Sequence, residues 1–171
     1  MSMHNIGIII ILNILVTAGL ADELPDLGVP VDAETLAAID FTVLPNGDGL
    51  PDGSGTAAGG AAIYQLHCLA CHGEGGIGSV NDSLVGGHDS LATQRPQKTV
   101  GSYWPYATTI FDYVRRAMPL QAPGALSNDE IYAVTAYLLF LNGIVGEDKE
   151  INSRTLPLVE MPNRDGFVWV Y

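Results

Sequence analysis

Apolar residues along the chain fall into patterns that change character from segment to segment. Residues Ile6 to Val16 form an almost unbroken apolar run, too short to cross a bilayer as a helix. Gly19-Leu20-Ala21 follows as a small-x-small site, so residues 1–21 read as a signal peptide cleaved before Asp22. No Lys or Arg precedes the run, which leaves an uncleaved membrane anchor as the alternative. Residues 22–56 show no amphipathic period, and their Pro, Gly and acidic content describes an arm. Within it, Asp32 is placed to cap a short helix over Ala33 to Ile39. Asn and Asp alternate through 44–55 in faint likeness to a calcium loop, but no downstream Glu completes that pattern, so the stretch reads as loop.

A helical period begins at Ala57. Gly60, Ile63, Tyr64 and His67 share one face of a helix predicted over Ala57 to His67. Gly73 to Gly101 is Gly-rich and irregular. A second helix is predicted from about Tyr106 to Ala117, with Ile110, Val114 and Ala117 in one stripe. The third has the clearest signals: Ser127 with Glu130 forms a capping box, Asn128 to Asn142 is apolar after its first turn, and Gly143 stops it. A helix so apolar has to be covered on more than one side. Strand-like character is confined to Phe167–Tyr171. The pattern therefore describes an all-α domain over 57–143, an arm before it and an extension over 144–171.

Charge narrows the choice of partner. Nineteen acidic against seven basic residues give a net charge of −12, and residues 1–21 contribute none of it. Nucleic acid and anionic lipid would both be repelled, whereas a protein with a basic patch would not.

Two cysteines normally suggest a disulfide in an exported chain. Cys68-Leu69-Ala70-Cys71-His72 changes that reading, because C-x-x-C-H is the signature of covalent c-type haem attachment. Two thiols a helical turn apart can bond the two vinyl groups of one porphyrin, and the adjacent imidazole can reach its iron. A zinc knuckle would need more Cys or His, and a dithiol redox site would need a thioredoxin-like setting. Neither is present. Met118, just where Pro119 ends the second helix, is the candidate for the other axial position. Thioether ligation raises the potential and leaves no open coordination site, which suits electron transfer. Met161 is the reserve candidate, and His88 would make a bis-histidine iron instead. His67 is assigned to exposed helix surface.

Taken together, these residues resemble a class I cytochrome c over about 57–143: three main helices around one covalent haem. The resemblance implies that Gly60 and Tyr64 cross the last helix near Tyr137. It also implies a backbone carbonyl behind the proximal histidine, where this chain has Asp82, two residues before Leu84, in place of the family's proline. The stretch Lys98 to Pro119, with Leu126–Leu138 and Glu160–Phe167, resembles more narrowly the cytochrome subunits of Sox-type sulfane dehydrogenase and periplasmic sulfite dehydrogenase. That likeness implies a periplasmic location and electrons received from a partner subunit containing a molybdopterin cofactor. They would leave to a downstream cytochrome c or oxidase. This chain would then be an electron-transfer subunit, not catalytic by itself. Trp104 and Tyr103 become candidate donors to the haem propionates, with Lys98 or Arg115 as counter-charges. A free-standing shuttle and a haem enzyme such as a thiosulfate dehydrogenase are the alternatives.

Overall fold

The computed structural model describes residues 28–168, so residues 1–21, read from the sequence as a signal peptide, lie outside the described residues. Two compact units divide at Ile39 and Asp40. In the first, helix α1 (Ala33–Ile39) starts where Asp32 accepts from the Thr35 N–H at 2.8 Å. The sequence placed that cap and its helix correctly.

The second unit is built on helices α2 (Ala57–His67), α3 (Leu69–His72), α4 (Ala107–Ala117) and α5 (Asn128–Leu141). Among the described residues no helix is long and apolar enough to cross a membrane. The three long helices match the predicted ones within a residue or so at their ends. At the start of α5, Ser127 Oγ accepts from the Glu130 N–H while Glu130 reaches back to the Ser127 N–H at 2.8 Å. At its end, Gly143 adopts a left-handed φ of 69°. Gly143 N–H then bonds the Phe140 carbonyl and Ile144 N–H the Leu139 carbonyl, which satisfies the last turn.

Those bonds from Ser127, first its backbone N–H and then its hydroxyl, hold the Glu130 carboxyl below its ordinary value of 4.5. A group lowered in the folded state adds stability above its unfolded pKa, and loses it as pH falls through the folded one. Ser127→Ala is expected to cost about 1 kcal/mol at neutral pH. The gap should narrow in thermal melts taken progressively below pH 4.5, where Glu130 takes up its proton.

Helix α5 is covered on several sides, as its composition demands. α2 crosses it where Gly60 lies directly on the Ala133 carbonyl, and Tyr64 meets Tyr137 at 5.4 Å between ring centres. α4 packs through Phe111, whose ring lies 4.4 Å from that of Tyr132. Each fully buried side chain of the size of Leu139 or Ile131 contributes about 2 kcal/mol to this core.

The remaining cover comes from both flanking segments. Residues 40–55, read from the sequence as the later part of the acidic arm, pack on the helices through Val43 and several backbone groups. Asp112 accepts from the Val43 N–H, Asp129 from the Ser54 N–H, and the Pro51 carbonyl from the Tyr132 hydroxyl. Strand β1 (Ser54–Gly55) pairs antiparallel with β2 (Ile151–Asn152). The strand expected at the C-terminus is not found at Phe167 and Val168, which are irregular, and its last residues are outside the described range. From the extension, Ile151, Leu156, Val159 and Met161 are buried in the core.

Candidate functional site

The C-x-x-C-H motif sits where α2 gives way to the single turn of α3. Cys68 terminates α2, its N–H bonding the Tyr64 carbonyl, and the next turn carries Cys71 and His72. The chain then folds back on this turn. Gly78 N–H donates to the His72 carbonyl at 2.8 Å and Asn81 N–H to the Cys71 carbonyl at 3.0 Å. This brings the Asp82 carbonyl within 2.9 Å of His72 Nδ1. A carbonyl can only accept, so Nδ1 carries the proton and Nε2 keeps its lone pair for a metal. Asp82 thus places a backbone oxygen behind the histidine although it is not the proline of the wider family.

The motif opens into a cavity of about 570 Å³. Cys68, Cys71, His72, Met118 and Trp104 all contribute to its wall, from three separate segments. Ile110, Val114, Leu126, Val134 and Leu138 make much of the rest apolar, while Lys98 and Thr99 add polar groups. Burial pushes the free Cys68 thiol up to about 11, with the nearby Cys71 adding to the rise. Tyr64, raised to about 12 chiefly by burial, donates to the Gly73 carbonyl at 2.7 Å and so braces the turn after His72.

Other candidates lie elsewhere. Tyr103 is not in the cavity wall; its ring meets Phe167 edge-on at 5.4 Å, with Lys98 Nζ 5.0 Å from its centre. Arg115 is also outside the wall, donating to the Phe41 carbonyl at 3.3 Å. Met161 is buried in the core, and His88 lines a separate, smaller cavity. His67 is half-buried at the main cavity, not on the exposed helix surface expected of it; the period it shares with Gly60, Ile63 and Tyr64 is the better guide.

Sequence reasoning missed Asn142. This buried side chain donates to the Leu84 and Leu138 carbonyls at 3.2 and 2.9 Å and accepts from Gly86 N–H at 3.3 Å. It ties the segment just after Asp82 to the end of α5. A polar residue closing an apolar helix was the available signal.

The donor set suits haem c: two adjacent thiols, one imidazole with its far nitrogen free, one thioether, and a largely apolar enclosure. Residues 55–138 match the family described as cytochrome C oxidase, cbb3-type, subunit III. The crystal structure of the sulfane dehydrogenase SoxCD from Paracoccus pantotrophus is 42% identical, with a TM-score of 0.79, covering 85% of this chain and 72% of that one. The chain belongs to the class I c-type cytochromes. A thiosulfate dehydrogenase from Allochromatium vinosum is also similar to this cytochrome, 33% identical over 80 residues. That match spans 47% of the cytochrome but only 29% of the dehydrogenase. The cytochrome carries covalent haem c and is an electron-transfer protein.

Proposed function

We propose that this cytochrome is the electron-accepting subunit of a periplasmic, molybdenum-containing dehydrogenase that oxidises an inorganic sulfur compound. The observation that carries the reading is the likeness to sulfane dehydrogenase at 42% identity over 85% of the chain. Cys68 and Cys71 would hold the haem by thioether bonds, and His72 and Met118 would ligate its iron. When bound, the haem supplies a one-electron redox centre.

The chain's own residues set the conditions for that centre. The Asp82 carbonyl holds the His72 ring in one orientation and one tautomer, and it raises the basicity of the ligating nitrogen. Met118, as the second ligand, would leave small molecules no vacant place at the metal. Ile110, Val114 and Leu138 give the cavity an apolar lining, which would limit the solvent reorganisation that accompanies a change of charge. Lys98 and Trp104 line the cavity, and in this reading Lys98 would balance the propionates while the Trp104 indole N–H would donate to one of them.

Native purification of the full chain tests the assignment. It should be recovered with a second subunit and with molybdenum in equal proportion to haem. Recovery as a monomer free of molybdenum would leave a free-standing shuttle and overturn the subunit reading. The match to a thiosulfate dehydrogenase favours a second reading, in which the haem itself acts on substrate. That chemistry requires an exchangeable axial ligand. Carbon monoxide binding by the reduced native protein would support it and count against Met118.

A further inference from the structure

We propose that Gly28–Thr42 is a tether that docks into an apolar, basic-rimmed groove on the dehydrogenase subunit. This inference rests on the partner reading above. Every residue of the segment is exposed, and no residue of α1 is buried. Its large apolar side chains are open to an unusual degree: Val29 by 87%, Val31 by 57%, Leu36 by 50% and Ile39 by 62%. Leu36 and Ile39 stand three apart and so share a face of the helix, with Ala33 one turn before them. Scattered exposed aliphatics need no explanation, but four within eleven residues form the kind of apolar surface that a partner covers.

The helix itself points the same way. Seven residues are too few for a helix to be stable by its own hydrogen bonds, and α1 gains nothing from burial. Asp32 nevertheless caps it, with both the N–H and the hydroxyl of Thr35 donating to its carboxylate. A capped amphipathic turn of this kind is already shaped for a groove, which lowers the ordering cost of binding.

Charge selects the occupant. Asp32, Glu34 and Asp40 border the apolar residues, and no Lys or Arg occurs before Arg95. An anionic membrane would repel such a segment, and a second copy of this chain carries the same net charge of −12. A groove rimmed by Lys or Arg complements it. The likeness to sulfane dehydrogenase agrees: 85% of this chain is more residues than lie between Asp40 and Tyr171, so the match continues into this segment.

The root of the segment gives the tether its purpose. Phe41 is held by Arg115 through its carbonyl and by Arg116, whose guanidinium lies 4.7 Å from its ring centre. Both arginines are in the last turn of α4, directly before Met118. A partner gripping the tether is therefore joined through Phe41 to the helix that leads to Met118. Attachment through a short flexible link raises the effective concentration of the second contact to about the millimolar range. The haem face can then use a weak, quickly reversible contact without losing its electron donor.

The test uses the full-length cytochrome and its co-purifying dehydrogenase subunit, with the double substitution Leu36→Asp and Ile39→Asp. The dissociation constant should rise about tenfold or more, while the haem spectrum and reduction potential stay those of the wild type. Added salt should weaken the wild-type complex. Equal affinity of wild type and variant would overturn the tether and leave the subunit reading standing. Failure of the wild type to bind the dehydrogenase would instead overturn the subunit reading and the tether with it. Sedimentation of the cytochrome alone provides the remaining arm. A wild-type dimer that the substitutions dissolve would assign the segment to a second copy and overturn the proposed occupant.

Discussion

Met118→Ala is expected to give a folded cytochrome with a lower reduction potential, a carbon monoxide adduct in the reduced state, and no sulfur-to-iron charge-transfer band. The fold should survive because Met118 stands at the end of α4, where its contribution to the helix is a backbone bond to the Val114 carbonyl. Truncating a partly buried methionine costs about 2 kcal/mol or less. The electronic effect is larger. A thioether favours reduced iron, and axial ligation together with surroundings commands a range of roughly 0.8 V. A fall on the order of 100 mV or more is therefore expected on losing the sulfur. Potentiometry and absorption spectra read the result. A variant keeping both the wild-type potential and the charge-transfer band would remove Met118 from the iron.

The second large effect concerns the helix crossing. A side chain at position 60 would meet the Ala133 carbonyl oxygen and the Tyr137 Cβ, neither of which can swing aside, because both belong to or branch directly from the α5 backbone. Gly60→Val is expected to force α2 off α5 and to cost about 3 kcal/mol or more. It would also separate Tyr64 from Tyr137, a contact worth roughly 1 kcal/mol. Cys68 ends the same helix, so haem attachment should fail in step with stability. The melting temperature should drop by on the order of 10 °C or more. Gly59→Ala supplies the contrast. There a Cβ would find only Thr56 Oγ1 at 3.6 Å and Ala133 Cβ at 4.0 Å, both ordinary contacts. That variant should be neutral or gain about 0.5–1 kcal/mol from helix propensity. Equal melting temperatures for the two variants would sink the crossing argument.

What was legible in the sequence had a local cause. The haem motif is five consecutive residues, and α5 announces itself through a capping box, an apolar run and a stop. The Gly60, Tyr64 and Tyr137 crossing came through the family resemblance, and the packing agrees with it. Illegible features depend on backbone groups brought together from afar. Residues 40–55 show no period because they bind the helices largely through N–H and C=O groups, whose chemistry is the same at every position. Asn142 escaped for the same reason: all its partners are backbone atoms. Arg115 misled because a guanidinium can be satisfied by a ring and a carbonyl as well as by an anion, and the Phe41 offering both lies far away in sequence.

The pairing of Ser54–Gly55 with Ile151–Asn152 also bears on time. It joins the two segments that flank the haem domain, and the α2–α5 crossing beneath it is similarly long in sequence. A helical protein closed in this way carries a loop-closure cost more usual in mixed folds, and local helix formation alone cannot complete it. Much of the wall around Cys68 and Cys71 comes from α4, α5 and the segment between them. Until that long-range closure is made, the two thiols lack the wall that later surrounds them and stay open to a porphyrin.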